Sequence, residues 1–567
     1  MQTLDTEVVI VGAGPAGLML AIELGCRGIA CIVLEQAEDA PRFPKANATS
    51  ARTMEHFRRR GFSAEVRALG LPADYPQDIV YCTRIAAHEL ARFAIPSRGE
   101  AATQSTFGDY GNDAWPTPEL PHRAQQMVIE PILRAQAASY PSVTLKAGVR
   151  ATALAQDEEG VEVLATSAVD GTGACVRALY AVGCDGARSM VRKGLGVSYG
   201  GTSGEQRDFF GGQMLSLYFR SSDLYGLIGK KRAWQYWALN AQQRGLLIAV
   251  DGVETFVLAV QLRAGEVPEG LDLQAVVRAV IGIAPGVAFD LRPIGHMPWS
   301  AGYALVAERM ARKRIFIAGD AAHLFTPTGG MGYNTSVDDA VNLGWKLALA
   351  VRGQAGPQLL DSYERERRPI AERNTAFARR MADSIGRIGL PEDLEDATAQ
   401  GMQARTAMGA ALAAHVAAEF NTPGLQLGLR YEDSPVVAQA DAPRPQDLPN
   451  RYVPNAVPGA RAPHALLGGV SLFDSFGRDF TLLAMSAGAA DPWKKEAAAL
   501  GLELHVVATQ DPVIRDLYGA EAALIRPDHH IAWRGLMSTS ARAVLRMATG
   551  HPAHDDARLR APEVATP

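Results

Sequence analysis

Short apolar runs, bounded by glycine and polar residues, open the chain. Glu7 to Val11 has the length and composition of a buried strand, and Pro15 to Arg27 is an apolar stretch of helical length. A second apolar run, "ACIVLEQ", ends on Glu35 and Gln36. The order strand, helix, strand predicts an α/β unit at the N-terminus.

A different pattern fills the region between residues 211 and 263. Segments 211–220, 232–240, 244–252 and 254–263 are interpreted as antiparallel strands. Neighbouring residues of each strand are expected to face opposite sides of the sheet.

A third pattern begins with the apolar run Ile315 to Ala318, which ends on Gly319 and Asp320. A glycine-rich turn follows, and then a long helix is predicted, with one face formed by Val337, Ala340, Val341, Gly344, Ala348 and Val351.

The last third of the chain has a different composition. A charged helix is predicted over 361–388 and an Ala-rich helix over 398–420, before a Pro-rich linker that starts at Arg451. His529 and His530 are interpreted as a turn before the strand "IAWR".

Composition limits the classes of protein. The chain has 567 residues, of which 47% are hydrophobic and 21% charged, with a formal net charge of -5. This length allows two or more domains with sizeable cores. The slight acidity argues against nucleic-acid binding, which usually needs a basic face.

The cysteines and the N-terminus indicate the compartment. The five cysteines form no CxxC pair and lack metal-finger spacing, which fits a reducing, cytoplasmic compartment and gives no metal site. The N-terminus has no basic segment followed by a cleavage site. No apolar run reaches the about 18 residues needed to span a membrane. We therefore expect a cytoplasmic protein without a membrane span.

The first chemical signal is Gly12, Gly14 and Gly17 at GxGxxG spacing between the first strand and helix. Such glycines permit a tight turn, the close approach of backbone to a diphosphate, and close packing of helix on strand. The positive end of the helix suits the diphosphate, and Glu35 lies near the expected distance for a ribose. The pattern predicts an ADP-ribose site that could serve NAD or FAD.

Three motifs together resemble the signatures of one family. They are GxGxxG at Gly12, "CDGARSMVRKGLG" at Cys184 to Gly196, and "GDAAHLFTPTGGMGYN" at Gly319 to Asn334. In this order and at these separations they resemble the group A flavoprotein monooxygenases, single-component FAD-dependent aromatic hydroxylases with the para-hydroxybenzoate hydroxylase fold. The segments after Arg451 resemble the C-terminal domain of the phenol and polyketide hydroxylase branches.

The resemblance implies an α/β fold with three parts. A Rossmann-like FAD-binding domain (1–75, 123–200 and 286–375) is interleaved with an antiparallel-sheet substrate domain (76–122 and 201–285). A helical segment and linker (376–450) leads to a thioredoxin-like α/β domain without cysteines (451–550).

The resemblance also assigns cofactor contacts. Asp320 would bind the ribityl chain of FAD, and the glycine-rich helix entrance after it would lie against the isoalloxazine ring. Asp185 and Arg192 would hold the pyrophosphate region, and Lys45 replaces an arginine that is frequent in the family, without its bidentate fork. The expected cofactor contacts are Gly12, Gly14, Pro15, Ala16, Gly17, Glu35, Gln36, Arg52, Gln126, Asp185, Asp320, Pro327, Gly330, Gly332, Tyr333 and Asn334.

Several polar residues near these motifs are interpreted as structural. They are Glu130, His323, Asn342 and Lys346. For the substrate wall, the aromatic-rich strands offer Tyr218, Trp234, Tyr236 and Trp237, of which about half should point away because neighbours on a strand face opposite sides.

The family resemblance implies an FAD-dependent monooxygenase that uses NADPH or NADH and O2. It would hydroxylate a phenolic or polycyclic aromatic substrate through a C4a-hydroperoxyflavin, with FAD rather than an assigned side chain carrying the chemistry. Two alternatives stay open: a flavoprotein oxidoreductase of the same fold that inserts no oxygen, and a non-catalytic flavin- or ligand-binding protein. The expected partners are a small aromatic substrate and O2, without nucleic acid, and a homodimer is left open.

Overall fold

A mainly parallel sheet organises the first part of the molecule, whose computed structural model describes residues 2–40, 42–103, 109–110, 113–263, 265–485 and 490–552. All but the edge strand Ala311–Arg312 run parallel. The predicted N-terminal α/β unit is therefore confirmed. The strand order is Ala311–Arg312, Ile315–Ile317, Tyr180–Gly183, Val8–Val11, Cys31–Leu34 and Val143–Lys146.

The helices around this sheet pack closely. They are the first helix (Pro15–Gly25), Gln126–Ala138, the central helix (Met331–Val351) and the long helix (Gln358–Gly386). A Cβ on Gly344 of the central helix would lie 2.5 Å from the Cβ of Glu23. The glycine on the predicted apolar face thus permits the first and central helices to approach each other.

Two smaller sheets flank the parallel sheet. One has the order Gln2–Asp5, Gly173–Ala178, Val161–Ser167 and Val149–Gln156. The other has the order Tyr199–Thr202, Ala304–Ala307 and His323–Leu324.

A seven-stranded sheet forms the second large unit. The four strands predicted between residues 211 and 263 are present, and strand 292–301 pairs along one of them. The sheet therefore extends beyond the boundary expected at residue 285. The strand order is Arg292–Ala301, Gly212–Arg220, Thr255–Gln261, Gly245–Ala249, Gln235–Ala238, Ile79–Cys82 and Glu89–Phe93.

The two faces of this sheet pack against different elements. The outer face, with Leu215 and Leu217, packs against the helices Leu224–Ile228 and Leu273–Ile281. The inner face, with Met214, packs against a helix that we call the bridging helix (Ala399–Phe420). The side chains of one strand thus divide between two cores, as the alternation predicts.

The C-terminal unit is a four-stranded sheet in the order Leu504–Ala508, Phe480–Ala484, Ala522–Ile525 and Ile531–Gly535. The first two strands are parallel and the remaining pairs antiparallel. The helices Asp491–Ala499, Pro512–Tyr518 and Ala541–Ala548 accompany it. This arrangement confirms the predicted α/β domain, and residues 526–530 form the turn predicted at His529 and His530.

Short elements complete the described chain. None of its helices combines the length and apolarity needed to cross a membrane. The short helices are Ser63–Arg67, Arg98–Thr103, Met190–Gly194 and Pro423–Leu427, the 3-10 turns are Pro268–Gly270, Gly319–Ala321 and Leu472–Ser475, and the two-stranded pairs are Asp109–Tyr110 with Asp113–Ala114 and Leu466–Leu467 with Val470–Ser471.

Candidate cofactor and substrate site

The three sequence motifs meet at one edge of the parallel sheet. They follow the adjacent strands Val8–Val11, Tyr180–Gly183 and Ile315–Ile317 at their carboxyl ends. Backbone hydrogen bonds continue past the strands, with Cys184 N donating to the Val11 carbonyl at 2.7 Å. Ligands of open α/β sheets bind at this edge, so the topology places the motifs where a nucleotide cofactor binds.

The three glycines of the first motif meet different surroundings. Gly12 has φ +102°, and a Cβ there would lie 2.4 Å from the Cys184 carbonyl oxygen. A Cβ on Gly17 would lie 2.0 Å from the Gly12 oxygen, whereas one on Gly14 would meet no atom within 4 Å. The tight turn and the close packing are thus present, and Gly14 faces the open space that a diphosphate needs.

The start of the first helix is available to an anion. It begins at Pro15, with Ala16 next in its first turn, and no side chain caps it. The carboxylate of Glu35 accepts hydrogen bonds from the N–H of Ala13 at 2.7 Å and of Ala37 at 2.9 Å. Glu35 therefore lies beside the glycine turn, with Gln36 exposed next to it. Free helix N–H groups and a neighbouring carboxylate fit a diphosphate and a ribose.

Asp320 lies in the wall of a cleft. Its residue is exposed to solvent, yet protein surrounds it closely enough for burial to raise the pKa of its carboxyl group. The nearby charges of His323 and Lys45 act in the opposite direction. An accessible carboxylate ringed by protein fits a group that binds the hydroxyls of a ribityl chain.

Lys45 is an exposed residue whose charge acts on two carboxyl groups. Its charge lowers the pKa of Asp320 and also that of Glu130, whose pKa burial raises overall. Gln126 donates to Glu130 Oε2 at 3.2 Å, and its backbone N–H donates to the Ala46 carbonyl at 2.7 Å. Lys45 is exposed, and its charge lies close enough to Asp320 to favour the ionised carboxylate.

The glycine-rich entrance of the central helix is held by side chains from distant segments. Asn334 Oδ1 accepts from the Ser50 N–H at 2.8 Å, and its Nδ2 donates to the Ala48 and Gly330 carbonyls at 3.0 and 2.6 Å. Gly330 has φ +65°, and a Cβ there would lie 3.2 Å from Ala48. Asn334 therefore fixes the loop rather than presenting its amide to the cleft.

The other predicted residues of this entrance differ in exposure. Pro327 is exposed, Gly332 is half-buried, and burial raises the pKa of Tyr333. The helix start carries no side-chain cap. Its free N–H groups can stabilise negative charge on a reduced flavin.

Arg52 is not directed towards the cleft, which corrects the sequence-based assignment. Its guanidinium donates to Glu55 Oε2 at 2.9 Å and to the Asp528 carbonyl at 2.5 Å. The helix Ala51–Arg59 presents this side chain to the C-terminal domain, more than 400 residues away in sequence. Arg52 is therefore removed from the set of cofactor ligands.

Asp185 and Arg192 are engaged within their own motif. The Asp185 carboxylate accepts from Ser189 Oγ at 2.5 Å and from the N–H of Met190 at 2.6 Å, so it caps a short helix. Arg192 stacks on Tyr199 at 3.8 Å, and the Tyr199 hydroxyl donates to the Asp320 carbonyl at 2.5 Å. This pair joins the second motif to the third.

His323 lies beneath the cleft and not in it. It is fully buried, and its Nε2 lies 2.6 Å from Asp339 Oδ2. Asp339 also accepts from the Gly319 N–H at 3.1 Å and from Arg367 Nε at 2.7 Å. These contacts fit the structural role expected for His323, since they hold the turn that carries Asp320.

Asn342 and Lys346 belong to a buried ionic cluster around Glu366. Lys346 Nζ donates to Glu366 Oε2 at 2.6 Å and to Asn342 Oδ1 at 2.8 Å. Arg526 of the C-terminal domain donates to both oxygens of Glu366, at 2.7 and 2.8 Å. The cluster binds the C-terminal domain to the central and long helices.

The candidate substrate residues divide between the two faces of the seven-stranded sheet. Trp237 and Trp234 lie in the inner cluster with Phe210. Tyr236 belongs to the outer core, where its hydroxyl accepts from the Ala233 N–H at 2.7 Å. Tyr236 is therefore removed from the candidate substrate wall, because its strand turns it to the other side.

Further aromatic residues of the inner face were missed from the sequence. Tyr81 stacks on Trp237 at 5.5 Å, and Phe210 lies 5.6 Å from Trp237 and 6.4 Å from Trp299. Tyr218 is half-buried on the inner side, with Phe43 at 5.9 Å. Alternation along strand 292–301 could have indicated Trp299, but Tyr81 comes from a strand outside the aromatic-rich segments.

Comparison with known proteins agrees with this geometry. Residues 5–378 match the family described as FAD binding domain, and residues 455–552 match the family described as aromatic-ring hydroxylase, C-terminal. The chain is 30% identical to phenol 2-monooxygenase of Pseudomonas sp. (strain EST1001), over 94% of this chain and 90% of that protein. It is 32% identical to aklavinone 12-hydroxylase RdmE of Streptomyces purpurascens, over 94% and 96%.

A solved structure extends the likeness to three dimensions. The rebeccamycin biosynthetic enzyme RebC with reduced flavin matches with a TM-score of 0.86 and 30% identity, over 97% of this chain and 100% of that one. The protein belongs to the FAD-binding aromatic-ring hydroxylases. The predicted family, fold class and FAD cofactor are thereby confirmed.

Proposed function

We propose that this protein hydroxylates a phenolic or polycyclic aromatic substrate with FAD, NADPH or NADH, and O2. The observation that carries the proposal is the arrangement of one cleft: the three cofactor motifs end at the same sheet edge, and an aromatic inner face stands on the neighbouring sheet. The relatives include a phenol monooxygenase and a polycyclic aklavinone hydroxylase, so both sizes of substrate stay in the proposal.

Different residues bind different parts of FAD. The N-terminus of the first helix and Gly14 hold the diphosphate, Glu35 holds a ribose, and Asp320 holds the ribityl chain. Lys45 supplies a positive charge beside Asp320. When bound, FAD accepts a hydride from the reduced nicotinamide and activates O2 for transfer to the aromatic ring.

The protein contributes position and exclusion of water. Trp237, Phe210 and Trp299 form an apolar wall, which removes water from the ring that reacts. The uncapped entrance of the central helix offers N–H groups at the flavin side. We propose the cytoplasm as the compartment.

A screen tests the proposal. Purified protein should be yellow and contain FAD, and phenols should stimulate NADPH or NADH oxidation with formation of a hydroxylated product that carries oxygen from labelled O2. Stimulated oxidation with no labelled oxygen in the product would favour an oxidoreductase that inserts no oxygen. Bound FAD without stimulation by any phenol would favour a flavin- or ligand-binding protein.

A further inference from the structure

A polar group of three residues interrupts the aromatic inner face. Tyr81 of strand Ile79–Cys82 is fully buried, and His415 and Glu419 of the bridging helix are 7% and 2% exposed. Within the described part of the chain, Tyr81 Oη, His415 Nε2 and Glu419 Oε2 have no hydrogen-bond partner. Burying a polar atom without a partner destabilises a fold, so three such atoms in one region call for an explanation.

The three side chains lie close together. The Tyr81 ring contacts the His415 ring edge-on, with centroids 6.1 Å apart, and stacks on Trp237. His415 Nε2 and Glu419 Oε2 are 3.1 Å apart but are not aligned for a hydrogen bond. Burial raises the pKa of Tyr81 well above its ordinary value, and the charge of Glu419 adds to this effect. Tyr81 therefore stays a hydroxyl that can donate.

The second polar atom of each side chain, Glu419 Oε1 and His415 Nδ1, contacts a neighbouring segment. Glu419 Oε1 accepts from the N–H of Gly329, in the glycine-rich entrance of the central helix, at 2.8 Å. His415 Nδ1 lies 3.0 Å from Ser384 Oγ of the long helix. His415 Nε2 and Glu419 Oε2, 3.1 Å apart, thus remain without a hydrogen bond from the rest of the described protein.

We propose that Glu419, His415 and Tyr81 bind the reacting hydroxyl of the phenolic substrate, and that Glu419 is the base that takes its proton. The substrate O–H bond breaks, its proton goes to Glu419 Oε2, and the electron pair stays on the substrate oxygen. His415 Nε2–H and Tyr81 O–H donate to that oxygen. The ring becomes more electron-rich beside Trp237, which favours its hydroxylation; this inference rests on the proposed function.

In this proposal the carboxylate of Glu419 contacts both the substrate and the loop at the flavin side. One oxygen of Glu419 accepts from the Gly329 N–H, while the other has no hydrogen-bond partner among the described residues and is the one assigned here to the substrate. Glu419→Gln keeps an oxygen for the Gly329 N–H but replaces the acceptor at the substrate with an amide. This variant therefore removes the base and leaves the support of the loop in place.

The test uses the FAD-loaded enzyme and 4-nitrophenol, whose absorption shows whether the bound molecule is a phenol or a phenolate. The wild-type enzyme should bind it as phenolate at a pH below its pKa in water. Glu419→Gln should bind it as the neutral phenol and should hydroxylate accepted substrates about 100-fold more slowly. Tyr81→Phe should shift the ionisation of bound 4-nitrophenol part of the way towards the neutral form.

A matched control and FAD content separate the possible causes. Tyr236→Phe alters a buried tyrosine on the outer face and should behave as the wild type. FAD content of each variant shows whether the flavin loop is intact. An unchanged ionisation shift and turnover in Glu419→Gln would overturn the inference.

The proposed function has a separate outcome. If phenols are hydroxylated but the wild-type enzyme keeps 4-nitrophenol neutral, or does not bind it, the inference fails and the function stands. If no phenol stimulates NADPH or NADH oxidation, the proposed function itself fails.

Discussion

The cofactor cleft and the interface of the C-terminal domain are built in opposite ways. The cleft uses backbone: glycines at Gly12 and Gly14, free N–H groups, and the ends of parallel strands. The interface uses long charged side chains, such as Arg461 on Glu55 and Arg526 on Glu366, all buried. A backbone site depends on local chain geometry, whereas a buried ionic interface depends on every partner being present.

The largest effect is expected from Glu366→Ala at the interface. Removing this carboxylate leaves Arg526 and Lys346 buried without their shared partner. The free energy of unfolding in urea should fall by about 3–5 kcal/mol. Glu158→Ala serves as the control, because its ion pair with Lys313 is at the surface, and it should leave stability unchanged. If Glu366→Ala and Glu158→Ala had equal free energies of unfolding, the buried cluster would contribute no more to stability than a surface ion pair.

Acid should weaken the same interface. Burial alone would raise the pKa of Glu366, but the charges of Arg526 and Lys346 lower it from 4.5 to about 2. Glu55, also buried, is lowered to about 2, mainly by Arg461. Since the folded state has the lower pKa, the stabilisation is complete above pH 4.5 and is lost as pH falls towards 2.

Urea unfolding across this pH range measures the loss. Glu366→Gln, which cannot titrate, should show a shallower fall in stability with decreasing pH than the wild type. The surface variant Glu158→Gln should keep the wild-type slope. An unchanged slope in Glu366→Gln would show that this carboxylate is protonated equally in both states.

Two glycines of the same turn should affect different properties: Gly12 the stability of the fold, and Gly14 the binding of FAD. Gly12→Ala forces φ +102° on a residue with a Cβ and a contact of 2.4 Å with Cys184, so it should lower stability by about 1–3 kcal/mol. Gly14→Ala meets no protein atom and should leave unfolding unchanged while FAD content falls at least about tenfold. Full FAD content in Gly14→Ala would show that the diphosphate does not bind at this position.

The same contrast explains how far the sequence could predict the structure. The glycine motifs and the strand before each of them are local patterns, so the fold and the position of Gly14 and Asp320 after their strands could be predicted. Arg52 was assigned wrongly because its partner, Asp528, lies 476 residues away. Tyr236 and Trp237 could not be separated, because alternation shows that neighbours diverge but not which face meets the cofactor.

Asp320→Ala tests the side-chain part of the cleft. The carboxylate is exposed in the cleft wall, so its removal should spare the fold. Losing a hydrogen bond to a charged group should raise the FAD dissociation constant about 10- to 100-fold. Asp516→Ala in the C-terminal domain, with a 79% exposed side chain, is the control and should retain wild-type affinity. Unchanged flavin content in Asp320→Ala would overturn the assignment.

The smallest effect is expected from Trp237→Phe, which tests the face of the seven-stranded sheet. Trp237 stacks on Tyr81 within the inner cluster, and a smaller ring there should raise KM for the aromatic substrate about 2- to 10-fold. Tyr236→Phe changes the adjacent residue of the same strand but acts in the outer core, where it loses only the hydrogen bond from Ala233. Its KM should therefore remain that of the wild type, whereas a rise in KM equal to that of Trp237→Phe would mean that the substrate does not distinguish the two faces.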